Sequence, residues 1–476
     1  MTRCMVIKAH LFMCSTSFVP PPVSSLSMKR AGLAQMSAPT AIPTWCELEA
    51  AVPSVQDVHG TDRGLRFYRD SDGWCPQCEQ VWLALELKGL HCEHQRVPYD
   101  QGAMSCKSPA SPIPVKTLPA LQLQNGVIAG GSSRIVGALD TLVPKVCPLW
   151  HGHSVDAAEV TRMVNALQTT LPSARRCERA DYLFMDDSNL LPAPLPRERF
   201  EAALDATEVL LGRHAAHGPF FCGARLSAAD IMWAPFLERY AAQLPCLHEG
   251  LAPRSDSRWP HLSAWYDAMD TVPAYACRVK GTDASWRKVL SRPPWWPRGW
   301  APPPLARVGA TGTAPSDHSA CVDLIPAATW RAYAASRPDT AASPALQAAA
   351  TIIANRQAIV ADARQRPTAY GSVPYIHEAF SATEIDAALR VLASLLSTSD
   401  TDEEDQRWHW AVATPAVDAV AAYLDERVCV PRDMGAPPAA EIHRVRVRVC
   451  AERGLRSEGS QCRDSGAPPQ LAGRGP

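Results

Sequence analysis

The stretch LRFYRDSDGWCPQCEQVWLALELKG, running from Leu65 to Gly89, decides how the rest of the chain is read. It opens with Leu65-Arg66-Phe67-Tyr68-Arg69, an apolar–polar alternation that suits a half-buried strand. Asp70-Ser71-Asp72-Gly73 reads as a turn. Glu79 to Lys88 then reads as a helix, with Val81, Leu85 and Lys88 along one stripe, Trp82 beside it and Gly89 at the stop position. At the junction of strand and helix stand Cys75 and Cys78, separated by Pro76 and Gln77.

Working outward, Glu93 to Val97 reads as a second strand. Strand, helix and strand with short links form a βαβ unit, whose right-handed crossover makes the strands parallel. Leu118 to Leu123 reads as a third strand and Asn125-Gly126 as a two-residue hairpin. Val127-Ile128-Ala129 is the return strand. Ser132 to Leu142 reads as a helix with Ile135, Val136 and Leu139 inward. The order β-α-β, then β-β-α, is the thioredoxin topology, so the fold class is α/β at the N-terminal side. From Val155 to about Leu290 the signals are helical. Arg199 to Leu211 is periodic, Ser227-Ala228-Ala229-Asp230 is a capping box opening a helix, and Pro260 to Met269 is another helix. The expected organisation is a leader over 1–60, a thioredoxin-like domain over 61–145 and an all-helical domain over 150–291. A Pro-rich linker over 292–319, a mostly helical extension over 320–445 and a disordered tail over 446–476 follow.

Composition narrows the function. The 476 residues carry a formal net charge of -1, so no global basic field exists to hold nucleic acid or an anionic membrane. No run of 18 apolar residues exists, so no membrane span is expected. Sixteen cysteines are scattered, and only Cys75 and Cys78 form a close pair; a chain of this length builds an ordinary core without disulfide staples. From Met1 to Cys46 there is no Asp or Glu, while Arg3, Lys8, Lys29 and Arg30 are basic. That is the composition of an organelle transit segment, with a weak signal peptide or a disordered tail of no address as the alternatives, so an organelle or the cytoplasm is the expected location.

The C-x-x-C pair admits three readings. A zinc site needs four ligands, and no second pair lies at a workable spacing, so no metal is expected. A structural disulfide closing so short a loop stabilises little. The thiol reading has a mechanism. Cys75 faces unpaired N–H groups and the positive end of the helix dipole, which favour a thiolate over the free thiol of pKa about 8.5. Pro76 loses no hydrogen bond in the first turn. Cys78, one turn on, can attack a mixed disulfide at Cys75. Two further features support this reading. Leu118-Pro119 opens a strand, where proline is excluded unless the position is special, as a cis bond beside the thiol would be. Gly130-Gly131-Ser132-Ser133 precedes a helix and leaves N–H groups for a carboxylate, or else Ser132 or Ser133 is an ordinary cap.

With Trp74-Cys75-Pro76-Gln77-Cys78 at a strand–helix junction and Gly218-Pro219-Phe220-Phe221-Cys222-Gly223 through Ser227-Ala228-Ala229-Asp230-Ile231 in a helical region, the chain resembles the glutathione S-transferase superfamily over about residues 65–290. The cysteine resembles that of the omega-like, lambda-like and dehydroascorbate-reductase-like classes, and the leader and tail resemble plastid-targeted algal relatives. The resemblance implies glutathione as co-substrate, a disulfide or an electrophile as the other partner, and a homodimer. It implies that Cys75 forms the mixed disulfide, with Cys78 as a second thiol. It also implies that Leu118, just before Pro119, binds the cysteinyl backbone of glutathione and that Ser132, with Ser133 beside it, holds the γ-glutamyl carboxylate. The family's Glu–Ser pair is Gly131–Ser132 here, so the carboxylate that meets the γ-glutamyl amine is missing. The expected activity is glutathione-dependent thiol transfer or reduction of disulfides, glutathionyl adducts or dehydroascorbate. Conjugation to electrophiles, with Trp233, Phe236 and Tyr240 lining a pocket or else forming core, and a non-catalytic scaffold are the alternatives. Cys429 to Gly435, CVPRDMG, stands out as a motif without assigned chemistry.

Overall fold

The computed structural model describes residues 42–52, 64–97, 118–171, 195–290, 325–337, 340–365, 376–397 and 414–464. The leader up to residue 41, the linker over 292–319 and the final residues from 465 lie outside this set. The described chain forms two units.

The larger unit begins with β1 (Arg66–Asp70), α2 (Pro76–Leu87) and β2 (Glu93–Val97). Helix α2 starts where the sequence requires, with Cys75 as N-cap and Pro76 in the first turn. It ends in a Schellman motif. Gly89 has φ of 63°, its N–H bonds to the Glu86 carbonyl, and the Leu90 N–H bonds back to Leu85. β3 (Ala120–Gln122) and β4 (Ile128–Gly130) follow, then α3 (Ser132–Leu142). The four strands lie in the order β2-β1-β3-β4. β1 and β2 are parallel, Phe67 opposite His94, whereas β1–β3 and β3–β4 are antiparallel, Phe67 opposite Leu121 and Ala120 opposite Gly130. This is the thioredoxin-like arrangement.

The helical domain contains α4 (Ala157–Thr170), α5 (Arg197–Gly212), α6 (Ala228–Leu247), α7 (Pro260–Asp270), a π turn over Tyr275–Val279 and α8 (Asp283–Leu290). The capping box closes as its spacing requires. Asp230 accepts from the Ser227 N–H and Oγ, both at 2.8 Å, and also from the Phe221 N–H at 3.0 Å and the Trp265 indole at 2.9 Å. Helix α2 is covered by α3 and by α6, so it is buried almost all round rather than along one stripe. Lys88, read as part of that stripe, is buried too. Its ammonium meets Asp140 at 2.6 Å and the carbonyls of Val143, Val146 and Cys147, which satisfies a charge that burial would otherwise penalise.

The same unit takes in two pieces from the expected extension. One contains α9 (Ala327–Ala335), after which Arg337 pairs with Glu86 of α2 at 2.7 Å. The other is the turn Val428–Ala439. The smaller unit contains α1 (Trp45–Ala51), most of α10 (Pro344–Gln365), α11 (Ile376–Ala379), α12 (Ala382–Ser397), α13 (Val417–Arg427) and the greater part of α14 (Ala436–Asp464). Trp45, within the expected leader, is helical and donates its indole N–H to Asp386 of α12 at 2.9 Å. The expected disorder from 446 also differs from the structure, where the helix continues to Asp464 with Val449 buried. Pro437-Pro438 and the Arg-rich run hide that helix from periodicity, because packing against other helices, not a strong apolar stripe, orders it.

Candidate active site around Cys75

Cys75 and Cys78 are brought together at the C-terminal end of β1. Cys75 is 3% exposed and Cys78 2% exposed. The Cys78 backbone N–H donates to Cys75 Sγ at 3.4 Å, so the first thiol occupies the N-cap place and takes up an otherwise orphaned helix donor. Burial, then a hydrogen bond to Cys75, pushes the Cys78 thiol well above its ordinary pKa. Cys78 is therefore held as the thiol.

Asp70, read from the sequence as the first turn residue, is instead the last residue of β1 and fully buried. Its Oδ2 accepts from the Trp74 N–H at 2.7 Å. Its Oδ1 is buried without a hydrogen-bond partner. One carboxylate oxygen and the two sulfurs all lie within 4.8 Å of one another.

The register of the sheet places the other expected residues at the same end. Tyr68 stands opposite Ala120, so the chain before Ala120, Leu118-Pro119, runs beside the end of β1 that feeds Cys75. The Leu118–Pro119 bond is cis and Leu118 is buried. The Pro119 carbonyl accepts from the Gly131 N–H at 3.3 Å, which ties the start of α3 to this loop. Ser132 is half-buried and Ser133 exposed in the first turn. Neither caps the helix by its side chain as N-cap; that position is Gly131, with φ of 83°. An L side chain there would have room but would sit in a strained conformation. Glycine relaxes the turn and leaves the site without a carboxylate there.

Sequence reasoning missed the buried charges behind Cys75. Arg239 of α6 pairs with Glu79 of α2 at 2.7 Å, donates to the Trp74 carbonyl at 3.2 Å and lies 3.7 Å over the Trp286 ring. Glu238 accepts from the Tyr275 hydroxyl at 2.9 Å. Burial raises the carboxyls of both Glu79 and Glu238, that of Glu238 well above its usual range, with the nearby Glu79 charge its second cause. On the other side of the strand Arg69 lies 4.5 Å from the Trp82 ring centre and donates to His94 Nδ1 at 3.2 Å. Burial lowers Arg69 to about 10 and holds His94 well below its ordinary value, so the imidazole is neutral. These groups are scattered along the chain, and only the packing of α2 on α6 and β2 on β1 gathers them.

Trp233, Phe236 and Tyr240 are core. Trp233 donates to the Met163 carbonyl at 3.0 Å, and Tyr240 packs edge-on to Phe200. The motif Cys429–Gly435 reaches the site. Val430–Pro431 is cis, the Val430 N–H donates to Ser285 Oγ at 2.9 Å, and Arg278 donates to the Pro431 carbonyl at 2.8 Å. Arg432, buried and forked onto Asp433 at 2.7 Å, lies against Gly73, two residues before Cys75.

Residues 74–142 match the glutathione S-transferase N-terminal domain and residues 196–268 the C-terminal domain of the same family. The two matched stretches are glutathione S-transferase domains, the first with Cys75 at its strand–helix junction. It is similar to glutathione S-transferase L3 of Arabidopsis thaliana, 27% identical over 204 residues, which is 42% of this chain and 77% of that protein. It is also similar to the chloroplastic glutathione S-transferase L2 of the same plant, 26% identical over 231 residues, 48% of this chain and 70% of that one. Among solved structures, the glutathione transferase Omega 3C of Trametes versicolor is 22% identical, covers 47% of this chain and 87% of its own, and has a TM-score of 0.35.

Proposed function

We propose that this glutathione S-transferase relative is a glutathione-dependent thiol transferase or reductase in which Cys75 is the nucleophile. The observation that carries the reading is Cys75 Sγ in the N-cap place of α2, accepting a helix N–H. The thiolate attacks the glutathionyl sulfur of a mixed disulfide R–S–S–G. The S–S bond breaks, R–S⁻ leaves with its electron pair and takes a proton, and Cys75 carries the glutathionyl group. A second glutathione thiolate attacks that disulfide, releases glutathione disulfide and restores Cys75. Leu118 beside the cis bond offers its backbone to the cysteinyl portion, and the N–H groups of Ser132 and Ser133 suit the γ-glutamyl carboxylate. Of the two readings open for Trp233, Phe236 and Tyr240, pocket lining or core, they are core, which removes that support from the conjugation reading.

The test is Cys75→Ser in a deglutathionylation assay with a glutathionylated peptide. Activity falls to background, whereas Cys78→Ser retains turnover. Full activity in Cys75→Ser would refute the assignment. Residence in a plastid accompanies the proposal, supported by the acid-free leader and the chloroplastic relative. A reporter fused to residues 1–60 that stays in the cytosol would overturn it. No helix among the described residues is long and apolar enough to cross a membrane. A homodimer is the expected assembly, and light scattering at the monomer mass would exclude it.

A further inference from the structure

The buried carboxylate beneath the two thiols has an oxygen that structure alone does not use. Asp70 is fully buried, and one oxygen is satisfied by the Trp74 N–H. The other has no donor, although buried acceptors are almost always paired. One oxygen of the same carboxylate lies within 4.8 Å of both the Cys75 and Cys78 sulfurs. A structural carboxylate would recruit a second donor there. A proton acceptor needs that lone pair open and a thiol within reach.

We propose that Asp70 is the proton acceptor for Cys78 in a second, dithiol step at this site. The proposal rests on the reading that Cys75 is the thiol nucleophile. After the first attack, Cys75 carries a group R–S as a mixed disulfide. Asp70 takes the Cys78 proton across the gap, by way of one water or a small rotation of the side chain. Cys78 Sγ attacks Cys75 Sγ, the bond from Cys75 to the R–S sulfur breaks, and its electron pair leaves on R–S⁻. That thiolate takes up a proton, and Cys75 and Cys78 are left as a disulfide. Two molecules of a small thiol, glutathione under the proposed function, return the pair to dithiol and leave as their own disulfide.

The need for a base is set by Cys78. It is buried, its thiol is held protonated, and it lies one helical turn inside the N-terminus rather than at the cap. Without an acceptor it is a poor nucleophile near neutral pH. The charged groups that face Asp70 are Arg69 from β1 and Glu79 from α2, and through Glu79 the Arg239 and Glu238 pair from α6. Arg96 from β2 and Arg278 from the π turn act on Arg69.

The experiment exposes the full-length protein to glutathione disulfide, quenches with acid and a thiol alkylator, and follows the tryptic peptide from residue 70 to Lys88 by mass spectrometry. In the wild type the glutathionyl adduct on Cys75 is transient and becomes an internal disulfide. In Asp70→Asn, which keeps an oxygen for the Trp74 N–H, the adduct still forms but its conversion slows about 10²-fold at pH 7. The deficit shrinks as pH rises, because solvent hydroxide then removes the proton. A merely structural role would not give that pH-dependent split. Asp70→Ser repeats the test should Asp70→Asn fail to fold. Conversion in Asp70→Asn at the wild-type rate and pH profile overturns the proposal. A wild-type adduct that never converts also overturns it and leaves the thiol transferase reading standing. A Cys75 that takes no adduct overturns the reading beneath both.

Discussion

Replacing Gly435 by alanine puts a methyl group where the backbone carbonyl of Cys277 already stands. A Cβ built on Gly435 overlaps that oxygen and falls 2.8 Å from the carbonyl carbon and 3.3 Å from the Arg278 Cα. All three neighbours are backbone, so no side chain can swing away, and the turn Val428–Ala439 must lift. Lifting breaks the Val430–Ser285 bond, worth about 1 kcal/mol, and the Arg278–Pro431 bond, worth about 1.5–3 kcal/mol because the donor is charged. It also exposes Val430 and Met434, each worth roughly 1.5–3 kcal/mol. Loss of the two bonds alone weakens docking by about 2.5–4 kcal/mol. Arg432 is buried in the docked turn and becomes a trypsin site once it lifts. At 1.36 kcal/mol per tenfold, cleavage after Arg432 should rise about 70-fold to 10³-fold while far-UV circular dichroism stays native. Because Arg432 lies against Gly73, alkylation of Cys75 should change as well. A folded Gly435→Ala protein cut at Arg432 at the wild-type rate would refute the claim that this close approach holds the turn to the site.

Two other substitutions test the frame around the site. Asp230→Asn keeps one acceptor oxygen for Phe221 and Trp265 but turns an NH₂ group toward the Ser227 N–H and Oγ, so one or two charge-assisted bonds are lost. The expected cost is about 2–4 kcal/mol in a urea melt, and a midpoint within error of wild type would contradict it. Glu238→Gln tests the raised carboxyls of this pair. Burial raises both carboxyls in the fold, so the folded chain binds a proton that the unfolded chain, with Glu near 4.3, has lost. The contribution is therefore full below about pH 4.3 and is lost as pH rises through the folded value, with a slope approaching about 1.4 kcal/mol per pH unit within that window. Glu238→Gln should flatten the alkaline fall in stability measured across pH 5 to 8, and an unchanged slope would place the proton elsewhere.

Much of the site was legible because it is built from local signals. Pro76 in a first turn, a cysteine at the cap, Gly89 at the stop, Asn125-Gly126 in the hairpin and a Ser-x-x-Asp box each encode their geometry within a few residues. Once those elements are placed, strand order and register follow, and they bring Leu118-Pro119 and Ser132 to the end of the sheet that carries Cys75. The terminal helices were not legible for the opposite reason. Trp45–Ala51 and Ala436–Asp464 have weak patterns of their own, and helices outside the reach of any sequence window order them.

What the sequence alone determined is thus the place of Cys75 at the cap of α2 and the topology around it, since each depends on neighbours three or four residues away. Only the tertiary structure decided the electrostatics. Asp70 belongs to a turn by residue type, yet the strand continues through it because Val97 of the parallel neighbour extends the ladder that far. That single step of register carries a carboxylate under two thiols. Arg239 reaches Glu79 across 160 residues, and Arg432 reaches Gly73 from near the far end of the chain. Long-range contacts of this kind leave no period in a sequence, because desolvation and charge pairing depend on which surfaces meet and not on spacing along the chain.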